Sequence, residues 1–287
     1  GFVGLARTWK SDVWESGHMG SAFAPVDGSK LASRLAMPEG LSTTRLSERG
    51  SLLGQLDKLH RDLDENPVVA QLDHYTHQAL DTVLSGRAKR AFDLSEETDK
   101  MRDFYGRESI GQKALLARRL VEAGSTFVLV SGAWGYFDHH GDEVRWGGIV
   151  KGLKPLMPRV DQTLHALVTD LEQRGLLDDT LVIWGGEFGR TPFREGRTAR
   201  SKNLGRDHFP DVYTMMLAGG GVKSGYVHGA SDDLGFRIAR DKVHIHDLQA
   251  TILHLLGLDH ERLTYKYQGR HFRLTDVHGH VVKPILA

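Results

Sequence analysis

Three things are missing from this 287-residue sequence, and each one excludes a class of protein or site. It contains no cysteine, so disulfides, thiolate metal sites and a cysteine nucleophile are excluded. It contains no apolar run near the roughly 20 residues that a membrane-spanning helix needs. Its 37 basic and 37 acidic residues leave no formal net charge. Nucleic acid and anionic membranes are therefore not expected as main partners.

Helical and strand patterns alternate in residues 109–287, which follow a helical and loop-rich part in residues 1–108. Within that first part, residues 1–44 are rich in Gly, Ser and Pro and predict loops. Periodicity predicts helices over residues 45–65, 68–84, 110–123, 156–174 and 248–256, and strands over residues 126–130, 181–184 and 212–217. Asp247 is the predicted cap of the last helix. Repeated helix–strand units predict one α/β domain, residues 1–287, with a mostly parallel sheet and helices on both faces.

Side chains of the metal-ligand type lie in loops that follow the predicted strands. Asp138 and His140 follow one strand, Glu187 follows another, and Asp207 and His208 stand in the next loop. Because the carboxyl ends of parallel strands meet at one edge of a sheet, we expect these side chains to lie close together. Carboxylate and imidazole ligands suit Zn, Mn or Fe. One or two such ions can hold an ester oxygen, activate a nucleophile and stabilise a leaving oxygen.

Two arginines, Arg190 and Arg206, stand beside these ligands in the sequence. A guanidinium binds tetrahedral oxyanions through its planar fork of N–H groups. Sulfate or phosphate esters are therefore the expected substrate class, with Arg190 and Arg206 holding the anion.

Each of these ligand-type groups also has a purely structural interpretation. The pair Asp207 and His208 suits a helix cap or a surface hydrogen bond, because aspartate readily supports turns. Glu187 follows two glycines, as a solvated loop acid would. Only the combination of three such groups at predicted strand ends favours a metal site.

Three further patterns are weaker. His244-x-His246 and His278-x-His280 have the same-side spacing of a strand, but they lie near a helix start and in the tail of the chain. A structural role is therefore favoured over metal binding for both pairs. The run Gly219–Gly221 lacks the Lys-Ser/Thr partner of a phosphate-binding loop and predicts a turn.

Six short motifs lie between residues 117 and 221, and the resemblance that they carry covers nearly the whole chain. They are Ala117–Gly124, Phe137–His140, Asp170–Leu177, Gly186–Pro192, Gly205–Pro210 and Ala218–Gly221. Together they closely resemble the DUF1501 family, which is abundant in planctomycetes and is similar to the alkaline phosphatase/sulfatase superfamily. The combination of Gly-Glu-Phe-Gly-Arg-Thr-Pro with Gly-Arg-Asp-His is the most specific part of this resemblance.

The resemblance implies an alkaline-phosphatase-like fold and metal-dependent hydrolysis of sulfate or phosphate esters, with polysaccharides as one expected carrier of the ester. It implies that Asp138 and His140 hold one ion and that His208 is a further ligand. It places Glu187 where relatives have a metal-binding aspartate. Asp207 is either a ligand or a carboxylate that orients His208. Zinc, as one or two ions, is the first expectation, and Mn or Fe are the alternatives.

The sequence departs from the resemblance in two places. The family's Trp-Asp-Thr-His stands here as Phe137-Asp138-His139-His140, so His139 adds an imidazole that competes for metal. Full-length relatives also begin with a first strand, a metal-binding aspartate and a Ser or Thr nucleophile, and we expect this chain to begin after that segment. The nucleophile is therefore unassigned. Export signals in relatives predict an exported or periplasmic protein, and a non-catalytic binding or scaffold protein with the same fold is the alternative function.

Overall fold

The computed structural model describes residues 2–5, 24, 26–28, 42, 44–52, 87–131, 137–141, 148–196 and 202–287. These residues form a mixed α/β structure with one small parallel sheet, several helices and four antiparallel strand pairs. The α/β class predicted from the sequence is confirmed. One mostly parallel sheet with helices on both faces is not seen in the part of the chain that the structure describes.

The parallel sheet has three strands in the order β2-β1-β3. They are β1 (Phe2–Leu5), β2 (Val26–Asp27) and β3 (Phe127–Val130). Val3 pairs with Val128 and Leu5 with Val130, so these four side chains lie on one face of the sheet. That face forms part of a hydrophobic core.

The central position of β1 corrects the prediction that residues 1–44 are loops. The strand has only four residues and includes a glycine, so it carries too little local signal to be recognised. Its partner β3 lies more than 120 residues later in the chain. The strand is therefore fixed by long-range pairing and by the burial of Val3 and Leu5.

The described central part of the chain contains four α-helices, of which the third and fourth match predicted helices closely and the first two were not among the helices predicted from periodicity. They are α1 (Arg87–Phe92), α2 (Asp99–Tyr105), α3 (Ser109–Glu122) and α4 (Lys154–Gln173), with a 3₁₀ turn at Leu94–Glu96 and a π turn at Ile149–Leu153. Residues 44–52 are also helical, whereas the remainder of that predicted helix and the predicted helix 68–84 lie outside the described residues. None of the described helices has the length and apolar character needed to cross a membrane.

Helix α3 joins two hydrophobic cores. Its residues Ala117 and Leu120 pack with Ala91 against the parallel sheet. Its residues Ala114 and Leu115 pack with α2 and α4 through a second core. Among the described helices, α1 and α3 therefore pack on the sheet. Helices α2 and α4 pack on α3.

The strands that lead to the predicted site pair antiparallel. Strand β4 (Val182–Trp184) pairs with β7 (Met216–Ala218), and β5 (Gly189–Arg190) pairs with β6 (His208–Phe209). A parallel pair needs a long crossover, usually a helix, between its strands. The described residues between β4 and β7 contain no helix, so the chain returns beside β4 in the opposite direction.

The C-terminal part contains two hairpin-like pairs around one helix. Its elements are β8 (Ala230–Ser231), β9 (Ile238–Arg240), α5 (Ile245–Leu255), β10 (Thr264–Tyr267), β11 (Arg270–Arg273) and a 3₁₀ turn at Lys283–Ile285. Helix α5 begins three residues before the prediction, with His244 as its N-cap. Asp247 is the third helical residue and completes a capping box, because its side chain accepts the His244 N–H.

Candidate metal centre

A short two-stranded ribbon fixes one side of the site. Strands β5 and β6 place Arg190 directly opposite His208. The ribbon continues as Thr191 donates its N–H to Asp207 O (2.9 Å) and Asp207 donates its N–H to Thr191 Oγ1 (3.1 Å). A Cβ on Gly189 would lie 2.0 Å from a neighbouring carbonyl oxygen, so only glycine allows this ribbon to pack as it does.

The loop at residues 137–141 forms the second side and lies against the chain just before β6. Arg206 donates its N–H to His139 O (3.0 Å). A Cβ on Gly205 would lie 1.9 Å from the carbonyl carbon of His140. The two backbones therefore approach as closely as they do because residue 205 has no side chain.

Three ligand-type atoms meet where these two sides join. Asp138 Oδ1 lies 2.9 Å from His140 Nε2 and 2.9 Å from His208 Nε2, and the two Nε2 atoms are 3.1 Å apart. Arg190 Nη1 contacts the same Asp138 oxygen at 2.9 Å. The cluster is half-buried, since His140 is mostly covered and His208 faces solvent.

The nitrogens around Asp138 exceed what one oxygen can bind well. A carboxylate oxygen offers about two lone-pair sites, yet three nitrogens lie within 2.9 Å of Oδ1. Burial opposes ionisation of Asp138, but the contacts from His208, Arg190 and His140 outweigh it and lower its pKa from 3.8 to about 2. The carboxylate is therefore ionised at neutral pH and ready to bind a cation.

A buried carboxylate that the sequence did not reveal lies behind this cluster. Glu195 has a side-chain exposure of only 3%, and its Oε2 lies 2.6 Å from His140 Nδ1. A proton on Nδ1 would donate to this carboxylate, and Nε2 is the nitrogen that faces Asp138 and His208. Carboxylates that fix the far nitrogen of a metal-binding histidine in this way are common in zinc sites.

These residues fit a divalent ion such as zinc. Ligand atoms held about 2.0–2.1 Å from a tetrahedral zinc ion lie roughly 3.3 Å apart, and the three separations here are 2.9, 2.9 and 3.1 Å. One carboxylate oxygen and two imidazole nitrogens are also ligands that zinc accepts. The donor set and its spacing both agree with a single ion.

The pattern of the family described as "Protein of unknown function (DUF1501)" matches residues 4–286. The chain belongs to the DUF1501 family. Comparison with curated proteins and with solved structures finds no match. The relation of this DUF1501 chain to alkaline phosphatases and sulfatases therefore stays a prediction from its motifs.

Asp207, one of the predicted ligands, belongs to a second group of potential metal-binding side chains with His140 and Glu195. Its Oδ1 lies 3.7 Å from His140 Nδ1 and accepts the N–H of His208 at 2.8 Å. Asp207 therefore contacts the Nδ1 side of His140, whereas the three-atom cluster uses the Nε2 side. Its place agrees better with an orienting carboxylate than with a ligand of the same ion.

The other predicted residues lie outside the two groups found in the described part of the chain. The Glu187 carboxylate is 64% exposed, and its Oε1 is 3.9 Å from Arg190 Nη2. His139 is buried. Arg206 is exposed and reaches the site through its backbone N–H. Metal binding by Glu187 and anion binding by Arg206 stay predictions.

Aromatic stacking supports the exposed edge of the centre. The ring of Phe188 lies 4.5 Å from that of His208, and the guanidinium of Arg190 lies 5.7 Å from the Phe188 ring centre. Phe188, from the family motif around Glu187, thus contacts both residues of the ribbon that face Asp138.

Proposed function

We propose that this DUF1501 chain is a metal-dependent hydrolase of sulfate or phosphate esters. Asp138, His140 and His208 are proposed to hold a divalent ion, and zinc is the preferred candidate. The observation that carries the proposal is the convergence of three nitrogens on Asp138 Oδ1. A dication between the carboxylate and the two imidazoles would relieve this crowding and use all three groups as ligands. A bound ion would supply Lewis-acid polarisation of an ester oxygen.

Arg190 is the residue that we propose for binding the ester anion. Its guanidinium is 16% exposed and contacts Asp138, so it lies at the cluster and remains accessible. The fork of five N–H donors can keep one contact with Asp138 and offer others to sulfate or phosphate oxygens. Arg206 is the second candidate for this role.

Glu195 and Asp207 are proposed to position His140 and His208. Glu195 holds the Nδ1 side of His140, and Asp207 accepts the backbone N–H of His208. Neither carboxylate contacts the Nε2 atoms that face Asp138. Their role is therefore to fix ring orientation and the position of the His140 proton.

Metal content and zinc titration test the centre itself. We expect about one zinc per chain at the centre and at least about a 100-fold weaker affinity in His208→Ala, because a direct ligand is lost. His271→Ala is the matched control, since His271 is an exposed histidine on β11. Less than one transition-metal ion per chain, unchanged by His208→Ala, would refute the metal centre.

Hydrolysis of p-nitrophenyl phosphate and p-nitrophenyl sulfate by the zinc-loaded protein then tests the activity. We expect one of these esters to be cleaved, and Arg190→Ala to weaken binding of sulfate or vanadate at least about tenfold through loss of charge-assisted hydrogen bonds. Arg206→Ala shows whether the second arginine contributes. Zinc binding without cleavage of either ester would favour the non-catalytic alternative, and equal anion affinity in Arg190→Ala would remove that role from Arg190.

A further inference from the structure

Two His-x-His motifs from separate parts of the chain meet at the start of helix α5. His244 and His246 lie at the helix N-terminus, and His278 and His280 lie in the segment after β11. Asp247 holds the two segments together, because its Oδ2 accepts the His244 N–H at 2.9 Å and its Oδ1 accepts the His280 N–H at 2.8 Å. Long-range folding thus assembles a group of histidines that the sequence shows only as two distant pairs.

Two neighbouring pairs of these imidazoles have the ring spacing of histidines that share an ion. The ring centres of His244 and His246 are 4.9 Å apart, and those of His246 and His278 are 5.4 Å apart. Two histidines on one tetrahedral ion, with nitrogens about 2.0–2.1 Å from the metal, have ring centres about 5 Å apart. The ligand nitrogens of the three histidines do not all lie within 4.8 Å of one another, so the exposed rings of His244 and His278 would have to turn to share an ion with His246.

A nitrogen within this group lacks a partner. His246 Nδ1 is buried and has no hydrogen-bond partner among the described residues. A buried polar atom without a partner is unfavourable, and a cation would satisfy it. The neighbouring His244 Nδ1 accepts the His246 N–H at 3.3 Å as the N-cap of the helix.

A negative charge lies beside the rings. The carboxylate of Asp247 accepts the backbone N–H groups of His244 and His280 and so lies between the two histidine pairs. It offsets part of the positive charge that a dication would bring to this helix N-terminus.

We propose that His244, His246 and His278 form a second binding site, separate from the Asp138 cluster, for a divalent transition-metal ion. Three imidazoles without a thiolate suit zinc, nickel or copper. Since α5 and the segment after β11 supply different ligands, a bound ion cross-links them. This proposal rests on none of the residues of the proposed hydrolytic centre and stands or falls independently of it.

The decisive experiment is a calorimetric titration with NiCl₂ in a His208→Ala background, which disables the first centre. We expect one nickel ion per chain in that background, and at least about a tenfold weaker affinity after adding His278→Ala. His254→Ala is the matched control, because His254 is an exposed histidine on the same helix. Circular dichroism checks that each variant folds. His278 is exposed, so His278→Ala remains informative even if a substitution of the half-buried His246, such as His246→Gln, prevents folding.

A second readout identifies the ligand type. Copper(II) bound to three imidazoles gives nitrogen hyperfine structure in electron paramagnetic resonance. Loss of that hyperfine structure in His278→Ala would support the site. No nickel binding in the background, or equal loss of affinity in His278→Ala and His254→Ala, would overturn it, even if the Asp138 centre binds zinc.

Discussion

Asp138 and Asp170 each contact several cationic or hydrogen-bonding groups, but the two carboxylates differ in exposure and in how their partners are divided between the two oxygens. At Asp138, nitrogens of Arg190, His140 and His208 all converge on one oxygen, and the carboxylate is 24% exposed. At Asp170, the exposure is only 3% and the partners are divided between both oxygens. At Asp138, several nitrogens share one partly exposed oxygen. At Asp170, the partners are divided between two buried oxygens.

The partners of Asp170 come from helices that already pack together. Tyr105 O–H donates to Oδ2 at 2.9 Å and Arg174 Nε donates to Oδ1 at 2.8 Å, while Arg118 Nε forms an ion pair with Oδ2 at 2.8 Å. Arg118, which is 2% exposed, also pairs with Glu97 and Glu122 through its other nitrogens. Each charge has a counter-charge, so this network has no need of a ligand.

The comparison separates a structural carboxylate from a candidate functional one. Both carboxylates contact an arginine, so a neighbouring positive charge alone does not distinguish them. The distinction lies in where the partners come from and how many share one oxygen. Helix packing satisfies Asp170, whereas two loops and a short ribbon bring an excess of nitrogens to Asp138.

The largest expected effect is a loss of folding stability when the buried network around Arg118 and Asp170 is broken. Arg118→Met should lower the free energy of unfolding by about 3–5 kcal/mol, because removing one partner leaves buried carboxylates without a counter-charge. Urea unfolding measures this loss. Zinc binding by the correctly folded variant should be unchanged.

Arg107→Met is the control for this prediction. Arg107 forms ion pairs with Asp99 and Asp103 on the surface, and its side chain is 43% exposed. Exposed ion pairs contribute little to stability, so the loss should be much smaller than for Arg118→Met. Equal losses of unfolding free energy in the two variants would contradict the distinction between buried and exposed ion pairs.

A smaller effect is expected from the pH dependence of Asp138. Its pKa in the folded protein is about 2, below the ordinary value of 3.8, so the ionised carboxylate stabilises the fold. In the absence of metal, this contribution is at most about 2 kcal/mol, is present above about pH 4 and is lost as pH falls towards 2.

Urea unfolding of the wild type and of Asp138→Asn, in buffers with a chelator, isolates this contribution. The difference in the free energy of unfolding between the two proteins should shrink steadily as pH falls from 5 to 2. A difference that stays constant over this range would show that the nitrogens around Asp138 do not favour its charged form.

The smallest effect is expected at Glu187. Its exposed carboxylate lies in neither of the two groups of ligand-type side chains in the described residues, so Glu187→Ala should reduce zinc affinity by less than about threefold. Zinc titration beside His208→Ala provides the comparison. A loss as large as that of His208→Ala would establish Glu187 as a ligand, as its place in the family motif predicts.

Sequence patterns predicted the elements with strong local periodicity. Helices α3 and α4 and strand β3 lie within about two residues of their predicted bounds, because each has a repeated apolar face or a β-branched run. Strand β1 and the antiparallel pairing of β4 with β7 were not predicted. Both depend on contacts between residues far apart in the chain, which local patterns do not record.

The site shows the same division. The sequence identified Asp138, His140 and His208 as ligand-type residues, and the structure brings all three together. It gave no sign of Glu195, a single acid in a basic loop, which becomes important only because folding buries it 2.6 Å from His140. The sheet edge expected to gather these residues is replaced by the close approach of the loop at residues 137–141 to Gly205.

The sequence by itself determined which chemistry is possible. The absence of cysteine excludes thiolate ligands for a metal, and the motifs supply carboxylates and imidazoles at residues 138, 140, 207 and 208. Only the tertiary structure decided that Glu195 holds His140 and that two histidine pairs meet beside Asp247. The reason is physical: residue types set what a side chain can bind, while distances of 3 Å between distant residues arise only from packing of the whole chain.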